Sequence, residues 1–242
     1  MSCAGGPDMI RAAGAGVIAA EWRSPNFDER PERGVIDMLV LHYTGMESTD
    51  AALARLCDPQ AKVSAHWLID EDGRLFNLVA EGCRAWHAGV SFWRGASDIN
   101  ARSIGIELVN PGHEFGYRPF PGPQMAGLID LAQDILARHP IPARNVVGHS
   151  DVAPRRKMDP GELFDWATLA ACGIGLWPPE AEECVLEDDA IRSMLATIGY
   201  ETIDLFATLK AFQRHFRPER VNGRLDWQTA RLIRGVTEQC SG

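Results

Sequence analysis

Apolar and polar positions alternate along this chain in blocks that change period several times. Residues 35–44 (VIDMLVLHYT) are almost continuously apolar, which predicts a short strand covered on both faces. Residues 103–109 (SIGIELV) and 145–149 (NVVGH) predict two more buried strands. Residues 65–80 (AHWLIDEDGRLFNLVA) read as a hairpin turning at Asp72-Gly73. Helical spacing appears at 51–57, with Ser48 or Thr49 as cap and Asp58-Pro59 as stop, and at 124–138, where Met125, Leu128, Ile129, Ala132, Ile135 and Leu136 share a face. Residues 173–183 (GIGLWPPEAEE) are punctuated by Gly and Pro, closed by acids, and read as a linker. Beyond them, three helical patterns at 191–198, 205–215 and 227–233 predict a small helical module. Strands interleaved with helices place the front of the chain in the α/β class. The expected division is residues 1–178, with an irregular N-terminal segment, and residues 184–242.

The 242 residues are long enough for one medium and one small domain, and a hydrophobic share of 45% is ordinary for a globular protein. The formal net charge of −9 argues against a nucleic-acid partner, because neutralising phosphates needs a Lys/Arg excess. No stretch reaches the length of a membrane span. The six cysteines include no CxxC pair, and their scatter reads as free thiols. Residues 12–20 are small and weakly apolar, Asp8 precedes them, and Cys3 stands too near the start for a lipoprotein signal to precede it. The expectation from this is an unexported, cytoplasmic protein.

Chemistry is sought first among the seven histidines. His42 ends one apolar run and His149 another, and strand ends are where a rigid scaffold meets a cleft. Asp159 follows ten residues after His149 in a Pro-bounded loop. Two imidazoles and a carboxylate with an open fourth position would make a catalytic zinc site. Taken singly, a strand-end histidine is more often a hydrogen-bonded core or surface group, and Asp159 before proline is an ordinary turn starter. Glu107 interrupts an apolar strand, which is costly unless it faces a cleft or a partner. It could carry a proton, or it could sit in a salt bridge. Lys157 lies two residues before Asp159, so on extended backbone the two side chains share a side. It could steady an oxyanion, or be one solvated member of Arg155-Arg156-Lys157.

Together these stretches resemble a family. SPNFDERP, LVLHYTGM, VSAHWLIDEDG, AWHAGVSFW, INARSIGIELVN and VVGHSDVAPRRKMDPG, spread in order over residues 24–178, are similar to the type-2 N-acetylmuramoyl-L-alanine amidases of the AmpD/AmiD kind, relatives of peptidoglycan-recognition proteins. The resemblance implies a mixed central β-sheet flanked by helices. It implies Zn2+ held by His42, His149 and Asp159, Glu107 as catalytic carboxylate, and Lys157 as the residue stabilising the transition state. It implies a substrate groove lined by Trp86, His87 and Asn100, with Tyr43 shaping the same wall. The implied substrates are muropeptides, intact or in the 1,6-anhydro form, and the implied reaction cuts between N-acetylmuramic acid and L-alanine. Two other classes stand beside this: a non-catalytic peptidoglycan sensor, and a zinc peptidase acting on the stem peptide. LKAFQRHFRPERVNGRLDWQTARLI resembles part of a three-helix peptidoglycan-binding module, with Gly223, Asp226 and Thr229 in its characteristic spacing. That tail points to a periplasmic or envelope location, against the cytoplasmic expectation. A monomer is the default.

Overall fold

The computed structural model describes residues 22–31, 34–179, 181–182 and 186–241. The stretch read for export signals, with Cys3 and Cys184, lies outside them. The chain divides into two compact units, residues 1–89 with 100–141 and residues 90–99 with 142–242.

The first unit carries β1 (Phe27–Glu29), β2 (Met38–Tyr43), α1 (Thr49–Cys57), β3 (Trp67–Ile69), β4 (Leu75–Asn77), β5 (Cys83–Ala85), β6 (Ser103–Leu108), α2 (Gly112–Phe115) and α3 (Gly122–Arg138). The second carries β7 (Val146–Gly148), α4 (His149–Val152), α5 (Trp166–Ala171), α6 (Asp188–Ile198), α7 (Leu205–Phe216) and α8 (Trp227–Ser241). Within the first unit the main-sheet strands lie in the order β4-β3-β6-β2, and β1 and β5 form a separate antiparallel pair. Strand β6 runs parallel to both β2 and β3, whereas β3 and β4 are antiparallel, so the sheet is mixed as expected.

The apolar runs become the central strands. Met38 through Leu41, Ile104, Ile106 and Leu108 are wholly buried. The first strand is shorter than its apolar run suggests. Val35 is 57% exposed, and Asp37 turns aside to meet Arg102, whose Nε donates to its Oδ1 at 2.7 Å, just below the Met38–Ser103 pair. The hairpin forms at the expected turn, with Gly73 at φ +88°, a conformation that glycine adopts without strain. Of the two candidate caps for α1, Ser48 serves, accepting from the Ala51 N–H at 3.2 Å, while the Thr49 hydroxyl donates to Asp70. The strand expected over 145–149 stops at Gly148, and His149 is the first residue of α4.

One half-buried cation seats the start of β6. Arg30 donates from Nε to the Glu81 carbonyl (2.9 Å), from Nη1 to those of Asn100 and Ala101 (3.1 and 3.0 Å), and from Nη2 to that of Ser103 (2.8 Å). Burial lowers its pKa to about 10, against the pull of the Cys83 and Glu81 charges.

In the second unit, α6, α7 and α8 bury Ile191, Leu195, Leu209, Phe212, Ile233 and Val236, the faces that helical spacing marks out. Part of the stretch read as a linker is packed: Ile174 is buried, and a side chain at Gly235 would run into the Pro179 carbonyl. The tail motif is spent on internal bonds. Gln213 Oε1 accepts from the N–H groups of Asn222 (2.9 Å) and Gly223 (2.7 Å), and its Nε2 donates to the Arg224 carbonyl (2.9 Å). Arg217 Nη1 donates to Asp226 (2.7 Å) and to the Thr229 hydroxyl (2.8 Å). Among the described residues, no helix is long and apolar enough to cross a membrane.

Gly105, in the middle of β6, is packed under the His87 ring, and a Cβ there would lie 2.6 Å from His87 Nδ1. Gly105→Ala should cost ~1–3 kcal/mol as an overpacked core site. Urea unfolding of the purified variant measures this, and an unchanged midpoint would contradict it.

Candidate active site

The parallel register of β2 and β6 pairs His42 with Glu107. Paired positions on adjacent strands project to the same face, so both side chains leave the sheet together. Both are buried, Glu107 at 8% exposure. His42 Nε2 lies 3.1 Å from His87 Nδ1, and His87 Nε2 lies 3.0 Å from the Ser103 hydroxyl. With Nε2 engaged by His87, Nδ1 is the nitrogen that His42 can present to a cation. A second ring nitrogen held by an outer partner is the usual way a ligating imidazole is oriented.

His149 follows directly on β7. A side chain at Gly148 could not be accommodated, because its Cβ would come within 2.7 Å of Pro160 Cδ. The loop from His149 closes on itself: the Ser150 N–H donates to the Asp159 carbonyl at 2.9 Å, and His149 Nδ1 lies 3.0 Å from Asp159 Oδ2. His42, His149 and Asp159, all buried, present ligand atoms within 4.8 Å of one another. Two imidazoles and a carboxylate are donors of the type that would hold a zinc ion. The residues present fit a metal with two nitrogen donors and one oxygen donor.

Lys157 is half-buried at the end of the same loop, its N–H donating to the Ala153 carbonyl at 3.0 Å. Its neighbours are engaged elsewhere, Arg156 on the Val90 carbonyl (3.0 Å) and Arg155 on Glu201 (2.8 Å). Lys157 makes no ion pair among the described residues. The positions expected to line a groove differ in exposure. Trp86 and Tyr43 are half-buried, and the Tyr43 hydroxyl lies 2.9 Å from His113 Nδ1. His87 and Asn100 are buried, and Asn100 Oδ1 accepts from the N–H groups of His87 (3.2 Å) and Ala88 (2.8 Å). Asn100 thus shapes the turn that carries His87, and His87 backs His42. Neither role is visible in the spacing of the sequence. His66 was also passed over, although it is a polar residue at the head of an apolar strand.

The N-acetylmuramoyl-L-alanine amidase family profile matches residues 32–162. The chain belongs to this family. It is 39% identical to the N-acetylmuramoyl-L-alanine amidase AmiD of Escherichia coli K12, in a match that covers 84% of this chain and 83% of that protein. The solved complex of E. coli AmiD with anhydro-N-acetylmuramic acid-L-Ala-D-γ-Glu-L-Lys superposes with a TM-score of 0.77 at 38% identity, covering 87% of this chain and 90% of that one. AmpDh3 of Pseudomonas aeruginosa, in complex with anhydromuramic pentapeptide, gives a TM-score of 0.78 at 34% identity over 93% of this chain and 98% of its own. Within this amidase the matched span contains His42, Glu107, His149, Lys157 and Asp159, and it ends before the helices α6–α8.

Beside the site, His66 is wholly buried. Its Nδ1 accepts the Gly105 N–H at 3.0 Å, and its Nε2 lies 3.0 Å from Arg30 Nη2 and 3.2 Å from the Cys83 carbonyl oxygen. Burial first, and the nearby Arg30 charge second, lower its pKa to about 3. In the unfolded chain the same imidazole titrates near 6.5. Between these values the unfolded state binds more protons, so the contribution to stability is full above about pH 6.5 and is lost as pH falls, by up to ~1.4 kcal/mol per pH unit. His66→Asn keeps an acceptor for Gly105 and removes the titration. Its unfolding free energy should fall less steeply than the wild type's from pH 6.5 to 4, and parallel curves would refute the assignment.

Proposed function

We propose that this amidase uses zinc, held by His42, His149 and Asp159, to cleave the amide between N-acetylmuramic acid, in its intact or 1,6-anhydro form, and L-alanine in peptidoglycan fragments. The observation that carries the reading is the convergence of three buried donors from distant parts of a chain of this family. Zinc bound there supplies Lewis acidity, which makes water nucleophilic near neutral pH and polarises the scissile carbonyl. The remaining work falls to the side chains. Glu107, on the same face as His42, accepts the proton of the attacking water and returns it to the L-alanine nitrogen as the C–N bond breaks. Lys157 donates from Nζ to the oxygen on which negative charge gathers. His87 keeps the His42 ring in place, and Asn100 holds the turn behind it. Tyr43 and Trp86 are the half-buried groups available to the substrate. The anhydro form is favoured as substrate because the complexes of AmiD and AmpDh3 hold anhydromuramic peptides. A sensor without catalysis is disfavoured by the completeness of the donor set.

Treatment with a chelator should abolish release of peptide from muropeptides, and added zinc should restore it. Glu107→Gln should lower kcat by ~10²–10⁴, and Lys157→Ala by ~10²–10³. Mass spectrometry of the digest reads the bond: an amidase liberates a peptide with a free L-alanine amine, whereas a stem peptidase leaves L-alanine on the sugar. Full activity in chelator would overturn the zinc reading.

A further inference from the structure

The GHSD stretch contains a carboxylate that the chemistry above does not use. Asp151 is completely buried, two residues beyond His149. Its Oδ2 accepts the Gly148 N–H at 2.7 Å, which clasps the backbone on both sides of His149. Two further bonds to it come from far along the chain. The Tyr200 hydroxyl, just after α6, donates to Oδ1 at 2.7 Å, and His215 Nδ1, in α7, donates to Oδ2 at 2.7 Å. A buried carboxylate is tolerated when such bonds replace water, and charge-assisted ones are the strong class.

Both partners are seated for this purpose. The His215 ring is stacked between Trp166 (3.8 Å between centroids) and Phe216 (3.9 Å). Its Nε2 is buried with no hydrogen-bond partner among the described residues. A phenyl ring would fill that slot without leaving a nitrogen unsatisfied, so the bond to Asp151 is what an imidazole adds there. Tyr200 is wedged edge-on against Trp93 (5.0 Å) and near Phe212 (6.2 Å), and burial together with the Asp151 charge holds its hydroxyl protonated, well above the ordinary tyrosine range.

We infer that Tyr200 and His215 are positioning residues for the metal site: through Asp151 they hold the His149 segment, so that the C-terminal helices form part of the support of the zinc ligands. This rests on the zinc reading above. Outer-shell partners of ligands are worth ~10–100-fold in metal affinity. In the full chain, Tyr200→Phe, which keeps the ring, and His215→Ala should each weaken zinc binding by ~10-fold or more in a competition titration with a chromophoric chelator. His215→Asn, whose amide nitrogen falls near the place of Nδ1, should recover most of the loss. The visible spectrum of the cobalt-substituted protein should broaden in Tyr200→Phe and His215→Ala and be restored in His215→Asn. A purely structural role would lower the unfolding midpoint of the metal-free protein in all three and leave the zinc dissociation constant of the folded protein unchanged. That result, or a Tyr200→Phe/His215→Ala double variant with wild-type zinc affinity and cobalt spectrum, overturns the inference. A wild-type chain that takes up no zinc removes the metal reading itself, and this inference with it.

Discussion

Strand register is the constraint on which the catalytic constellation depends. His42 and Glu107 face each other across β2 and β6 because Met38 is aligned with Ser103, and a slip of one residue would send one of the two to the opposite face of the sheet. Hydrophobic burial alone cannot prevent such a slip here, since both strands are apolar on both faces and either alignment would bury Leu, Val and Ile. Polar contacts at the strand origins discriminate. Arg102 and Asp37 pair at the foot of the two strands, and Arg30 gathers the carbonyls of Asn100, Ala101 and Ser103 at the point where β6 begins. Gly105 admits His87 at one place only, which fixes the ring behind His42. The apolar strands supply cohesion, and a handful of half-buried hydrogen bonds choose the alignment.

Where information was local, it was legible. The apolar runs, the Asp72-Gly73 turn and the Ser48 cap each signal their structure within a few residues, and the structure follows them. The candidate ligands were legible as types, since an imidazole or carboxylate at the end of an apolar run is unusual, but only resemblance to a family joined His42 to His149 and Asp159. Other features escaped because their partners are remote. Arg30 acts on residues 36 to 73 positions away, and Asp151 on residues 49 and 64 positions away. His149 as a helix start escaped because α4 is a single turn, too short for helical spacing to register.

The tail shows how a sequence signature and a binding surface can be different things. Asn222, Gly223, Asp226 and Thr229 form the recognisable part of the module, yet Gln213 and Arg217 consume their polar groups in closing the loop between α7 and α8. Apolar groups stand in solvent elsewhere on the module: Ile203, Phe206 and Trp227 are each more than half exposed. The signature therefore reports how the loop is built, and a match to it carries no information about what those three side chains meet.

Asp151 carries a consequence for how such a chain changes over generations. It lies in the stretch most recognisable as amidase, whereas Tyr200, just after α6, and His215, in α7, lie beyond the family-matched span. Exchange of those helices for another appendage, a common event in modular proteins, would strand a carboxylate in the interior beside His149. Any chain that keeps this arrangement is thus held to it by the buried carboxylate of the amidase span, whether or not the appendage ever touches a cell wall.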